Sequence, residues 1–109
     1  TEGRFDEART HFNRALSAFR EEGAAADVAA VLSRLAAVDA AKGNIDSALS
    51  IHREQVLPLL QRDYDLTRLV MAHRTIGRLL QHQHKPADAL IEFRIADELA
   101  RRTGDRALI

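Results

Sequence analysis

Five histidines carry the most evident chemical capacity in this sequence: His11, His52, His73, His82 and His84. His82 and His84 stand two residues apart, a spacing that does not bring two imidazoles together on one helix face. They could share a cation only if the helix ended between them. The stretch Leu66–Ala87 offers no carboxylate to complete a ligand set, and no His-Glu-x-x-His pattern occurs, so no metal site is expected. His52 falls at a packing position and reads as a half-buried core residue; His11 and His73 carry no further mark. Ser17, Ser33, Ser47 and Ser50 all lie on helical stretches without a Gly-x-Ser-x-Gly elbow to activate a hydroxyl. Glu21-Glu22 and Asp97-Glu98 read as solvated helix faces. Without cysteine there is no thiol chemistry, no disulfide and no Cys-based zinc site. No Gly-rich loop cradles a phosphate. No catalytic residue and no cofactor are expected.

One charge feature stands above this background. From Leu66 to Ala87 there is no Asp or Glu, while the same stretch holds Arg68, Arg74, Arg78, Lys85 and three of the five histidines. Arg74, Arg78 and His82 recur every fourth residue, so they form one stripe along a helix. Leu69, Ile76 and Leu80 occupy the opposite face and must point to the core. A solvated face without a ligand is the competing reading of that stripe.

The elements that position these residues follow from composition and period. The 109 residues contain 19 Ala and 14 Leu against 11 Val plus Ile, with only seven Gly plus Pro. That bias favours helices over sheet. Phe5, Ala8, Phe12, Ala15, Leu16 and Phe19 recur at three and four residues, and no stretch alternates with period two. The chain is all-α, with one domain expected from its length. The breaks predict five helices, from about Phe5 to Glu22, Ala24–Asp27 to Lys42, Ile45 towards Arg62, Leu66 to Gln83, and Pro86 to Thr103. Gly23 and Gly43 are expected to stop the first two, Pro58 to kink the third, and Thr103-Gly104 to end the fifth. Asp105–Ile109 then reads as the start of a sixth helix. Short connections make neighbours antiparallel hairpins. Sixteen basic and sixteen acidic residues cancel, which disfavours a nucleic-acid module. The apolar runs are too short to span a bilayer, there is no signal peptide, and the lack of Cys fits a reducing, cytoplasmic setting.

The odd-numbered helices overlay. Gly3-Arg4-Phe5-Asp6-Glu7-Ala8 matches Gly43-Asn44-Ile45-Asp46-Ser47-Ala48 and His84-Lys85-Pro86-Ala87-Asp88-Ala89, at spacings of 40 and 41 residues. Four residues after each alanine stand Phe12, His52 and Phe93; seven after stand Ala15, Gln55 and Ala96. In the even-numbered helices Leu35-Ala36 overlays Ile76-Gly77. This pattern resembles the tetratricopeptide repeat family, whose unit is a pair of antiparallel helices. Leu32, Leu35-Ala36, Gly43 and Ala48 carry the signature in one unit; Ile76-Gly77, Ala89, Phe93 and Ala96 carry it in the next. The period exceeds the family's usual 34 residues, Asp39 stands at a usual aromatic position, and His52 and Gln55 replace Phe and Ala. A generic antiparallel bundle is the alternative, but three phased alanines argue for repetition.

The resemblance implies an antiparallel helix-hairpin solenoid of about two and a half repeats over residues 1–109, part of a longer array. It also implies a non-enzymatic scaffold that binds a peptide or helix of a partner protein in a concave groove. In that register Met71, Arg74, Arg78, Gln81 and His82 face the groove, with Ala30, Ser33, Arg34 and Ala37 in the preceding unit. The guanidinium groups suit acidic side chains. The other reading is a peptide-sensing regulatory domain controlling an attached output domain, such as a transcriptional regulator or signalling ATPase. Nucleic acid and membrane are not expected partners. Uncapped repeat ends, with the stripe Phe5, Phe12 and Phe19 on the first helix, predict self-association.

Overall fold

The computed structural model describes the backbone of residues 2–108 and the side chains of residues 2–104. Among the described residues the chain forms five helical rods and no strand. These are α1 (Glu2–Glu22), α2 (Ala25–Ala41), a third rod built from α3 (Ile45–Ile51), a π-helical turn (His52–Val56) and α4 (Leu57–Arg62), then α5 (Leu66–His82) and α6 (Pro86–Leu108). The all-α helical-repeat reading of the sequence holds.

The turns reveal the repeat more clearly than the helices do. At Gly23-Ala24, Gly43-Asn44, Tyr64-Asp65 and His84-Lys85 one residue takes a left-handed conformation, with φ of 69°, 88°, 53° and 60°. Each is followed by the same pair of backbone bonds. Asn44 N–H donates to Asp39 O at 2.8 Å and Lys85 N–H to Leu80 O at 3.0 Å, while Gly43 and His84 reach back three residues. This is the Schellman closure, in which a left-handed residue lets two amides satisfy the last carbonyls of a helix. Glycine adopts that conformation without strain; Tyr64 and His84 adopt it because the repeat demands it.

The third rod departs from the sequence expectation. Pro58 was expected to kink the last turn of a continuous helix. Instead a five-residue π-helical turn lies just ahead of it, and the Leu57 N–H donates to His52 O, five residues back. Proline has no N–H and its ring presses on the carbonyl four residues earlier, Glu54 O. A widened turn relieves that conflict and absorbs one extra residue. Gly3 to Gly23 spans one residue fewer than Gly43 to Tyr64, the same surplus. The alignment of Gln55 with Ala96 is therefore corrected. Gln55 is exposed, and Val56, 1% exposed, takes the buried position.

Two units are compact by their own contacts, Thr1–Leu59 and Leu60–Ile109. In the first, α2 packs against α1 and against α3 with the π turn. Helix α2 is apolar nearly all round, as a helix covered on two sides must be, and buries Val28, Ala29, Val31, Leu32 and Ala36. The carboxylate of Asp39, at the usual aromatic position, is buried there. It accepts hydrogen bonds from Arg9 Nη2 on α1 and, at 2.7 Å, from Ser47 Oγ on α3, joining three helices. Such a buried carboxylate is retained only when its acceptor capacity is filled. In the second unit α5 packs on α6. Ile76 is 0% exposed, and its burial contributes roughly 1.5–3 kcal/mol.

The last helix corrects the sequence again. It runs through Thr103-Gly104 to Leu108 without a break, so residues 105–108 are its final turn rather than a sixth helix; Ile109 lies outside the described residues. A glycine inside a helix costs only about 1 kcal/mol relative to alanine. No proline follows Gly104 to enforce a stop.

Candidate functional site

Helix α5 begins where Asp65 caps it. The Asp65 carboxylate accepts from the Arg68 N–H at 3.2 Å and from Arg68 Nη1 at 2.8 Å. The Arg68 side-chain hydrogen bond holds the Asp65 carboxyl below the usual carboxylate range, partly opposed by burial. Arg68, the first arginine of the carboxylate-free stretch, is thus committed to a carboxylate just outside it. Arg74 and Arg78 are not. Both are exposed, and among the described residues neither forms an ion pair.

These two guanidinium groups border an open hollow of about 520 Å³ together with Met71, Thr75 and Phe93. All five residues belong to the second unit. Met71 is 62% exposed, and the Thr75 hydroxyl is already used, donating to Met71 O at 2.9 Å. The hollow therefore presents two unpaired cations beside a thioether and an aromatic ring. Phe93 reaches it because position 77 is glycine: a Cβ there would lie 2.6 Å from Phe93 Cε1. On the same helix, the His73 ring is bound to Glu92 of α6 at 2.7 Å and is buried. That contact fixes α5 on α6 and leaves His73 with no open face towards a ligand.

Of the residues singled out from the sequence, Met71, Arg74 and Arg78 come together around this hollow. Gln81 and His82 are exposed one turn further along α5 and are not among its walls. Ala30, Ser33, Arg34 and Ala37 lie on α2 in the first unit. There Arg34 and Ala37 are exposed, Ala30 and Ser33 half-buried, and the Ser33 hydroxyl donates to Ala29 O at 3.1 Å. Thr75 and Phe93 were not picked out. The repeat register held a signal for Thr75, since it overlays Arg34 at the 41-residue spacing. Phe93 read as a packing aromatic, and it serves as that and as a wall.

The remaining chemistry is structural. His52 is 3% exposed, more buried than expected; its Nδ1 has no hydrogen-bond partner, and burial pulls its pKa below the ordinary value. His82 and His84 are exposed at the end of α5. Among the described residues no group of three His, Asp or Glu could hold a metal ion, and no helix is long and apolar enough to cross a membrane. The Phe5, Phe12 and Phe19 rings are half-buried, and the Phe12 ring meets His11 edge-on at 6.2 Å.

Comparison with the curated proteins and with the solved structures gives no match. The family model described as tetratricopeptide repeat matches residues 1–62, from α1 through α4. With the phased alanines, the four equivalent Schellman turns and that match over more than half its length, the chain belongs to the tetratricopeptide repeat family, whose repeats are protein–protein interaction modules and typically non-catalytic.

Proposed function

We propose that this chain is a scaffold that captures an acidic segment of a partner protein, with Arg74 and Arg78 as its main electrostatic contacts. The observation that carries the reading is the pair of exposed guanidinium groups without carboxylate partners, set beside Met71 and Phe93. A bare hydrated basic face needs no aromatic or thioether wall, whereas a peptide carrying a carboxylate next to an apolar side chain uses both. Guanidinium forks match carboxylates in bidentate geometry. Gln81 and His82 extend the contact along α5. In the first unit, taken by itself, Ala30, Ser33, Arg34 and Ala37 on α2 are the partner contacts that the repeat register suggests. Residues 1–109 act in this reading as one repeat domain of about two and a half units.

The test is binding of a panel of fluorescent peptides, acidic with an apolar residue, acidic without one, and basic, at two salt concentrations. The acidic-apolar peptides bind best, and binding weakens with salt because the contacts are partly exposed. In Arg74→Glu/Arg78→Glu binding falls at least about tenfold, since like charges now face the ligand. The thermal melt stays within about 0.5 kcal/mol of wild type, as for exposed substitutions in general. Equal binding by wild type and variant returns the stripe to a solvated face.

A further inference from the structure

Of the large hydrophobic side chains exposed among the described residues, three lie on α6 and none on α1, where the Phe stripe pointed. Leu90, Ile91 and Ile95 are 48%, 56% and 38% exposed. Ile91, Arg94, Ile95, Glu98, Leu99 and Arg102 line a shallow hollow of about 460 Å³ along that helix. Stacking of repeats accounts for Leu90, whose counterpart Leu49 is 5% exposed, but not for Ile91 and Ile95. At the equivalent place in the third rod stand Ser50 and Glu54, and the Ser50 hydroxyl donates to Glu54 Oε2 at 2.9 Å on an exposed surface. Shifting the register by the π-turn residue puts Gln55 opposite Ile95, and Gln55 is also exposed. This helix position is polar and wet in one unit, and in the other it carries two isoleucines.

The order of charges along the strip indicates what covers it. At about 100° per residue, Ile91, Leu99, Asp88 and Arg102 fall within roughly 40° of Ile95, while Arg94 and Glu98 lie together on one flank. A two-fold axis through Ile95, perpendicular to the helix, sets a second α6 antiparallel to the first and keeps each flank on its own side. Ile95 then meets the second copy's Ile95, and Ile91 meets its Leu99. Arg102 comes opposite Asp88, and Arg94 comes beside Glu98, each twice by symmetry. Arg94 and Asp88 form no ion pair among the described residues, and the Glu98 partner, Arg101, is fully at the surface, 2.7 Å away with a side chain 76% exposed. A strip that complements itself in both apolar and charged positions is the signature of an isologous interface.

We infer that α6 is a homodimerisation surface, on which a second copy of this chain docks antiparallel through Ile91, Ile95 and Leu99, registered by Arg94 and Glu98. About four turns of one helix bury less than the roughly 1,200 Å² of a standard interface, so the dimer is weak and concentration-dependent. Sedimentation velocity over a concentration series tests it on the full chain. Wild type shifts from monomer to dimer as concentration rises. Arg94→Glu and Glu98→Arg, alone, place like charges across the axis and raise the dissociation constant at least about tenfold. An equimolar mixture of these two variants restores the dimer, because each then meets its opposite, and so does the double variant Arg94→Glu/Glu98→Arg. Ile95→Lys abolishes dimerisation. All these side chains are exposed, so the circular dichroism melts match wild type and a loss of dimer is not a loss of fold. Arg74→Glu/Arg78→Glu leaves the dimer intact, which separates this surface from the α5 hollow. A wild type that stays monomeric up to millimolar concentration, a dimer indifferent to the α6 variants, or a mixture that fails to rescue overturns the inference.

Discussion

At His52 the core holds an imidazole where the other units place phenylalanine. Its Nδ1 is buried without a partner, and an unmet polar atom in the interior costs about 1–3 kcal/mol. His52→Phe should therefore raise stability by about 1–2 kcal/mol at neutral pH in chemical denaturation. The same site gives a pH dependence with a definite sign. Burial lowers the folded-state pKa of His52, so between that value and the ordinary 6.5 the unfolded chain binds the extra proton. The stability contribution is intact above 6.5 and is lost as pH falls towards the folded-state value. The wild-type minus His52→Phe difference should widen on acidification below 6.5, by at most about 1.4 kcal/mol per pH unit. A difference independent of pH would show that the imidazole is accessible to protons in the native state. Tyr64 is a second case of a residue at odds with its place. Its φ of 53° and 78% exposure mean that it bears left-handed strain while its ring packs little. The strain of roughly 1–2 kcal/mol exceeds the entropy that glycine loses on folding, so Tyr64→Gly should stabilise by about 0.5–1 kcal/mol. A lower melting temperature in that variant would mean that the ring does pack.

At the scale of elements, Ala48 and Ala89 are both 1% exposed, and Ala8, on α1, is half-buried. Ala89 lets α6 lie close on α5, just as Gly77 lets the Phe93 ring settle onto α5. Ala89→Leu should overpack that contact and cost about 1–3 kcal/mol, read as a lower denaturation midpoint. A neutral effect would mean that α6 can move outward without loss. The phase of these alanines was legible because a helix repeats its faces every 3.6 residues, whatever surrounds it. Helix starts and stops were legible where one residue type settles them, as at Gly23, Gly43 and Pro86. They were not where propensity is weak against continued hydrogen bonding. Gly104 costs about 1 kcal/mol and does not break α6. Pro58 announced a disturbance, but whether it kinks the rod or widens it into a π turn depends on which face must stay buried. Val56 at 1% exposure shows the choice made: the widened turn keeps the buried stripe in phase.

Across the whole molecule, equal numbers of acidic and basic residues give no net field, so function rests on how charge is distributed locally. The α5 peptide-binding and α6 pairing predictions both belong to this scale: the first depends on Arg74 and Arg78 left without an ion-pair partner, the second on Arg94 and Asp88 in the same condition and on Glu98, paired only with the surface residue Arg101. The sequence by itself determined the all-α class, the repeat phase, the family and the carboxylate-free stripe of α5. All of these are properties of one chain segment read against a fixed helical period. Only the tertiary structure decided which charges are spent and which are free. Arg9 of α1 is taken by Asp39 of α2, and Glu92 of α6 by the His73 ring of α5, while Arg74 and Arg78 keep their guanidinium groups open. It also decided that Phe93 walls the hollow and that Ile91 and Ile95 stand in solvent. The physical reason is one of range. Backbone hydrogen bonds and side-chain period are set by near neighbours in sequence, whereas ion pairing and burial depend on what a different helix brings within a few ångströms.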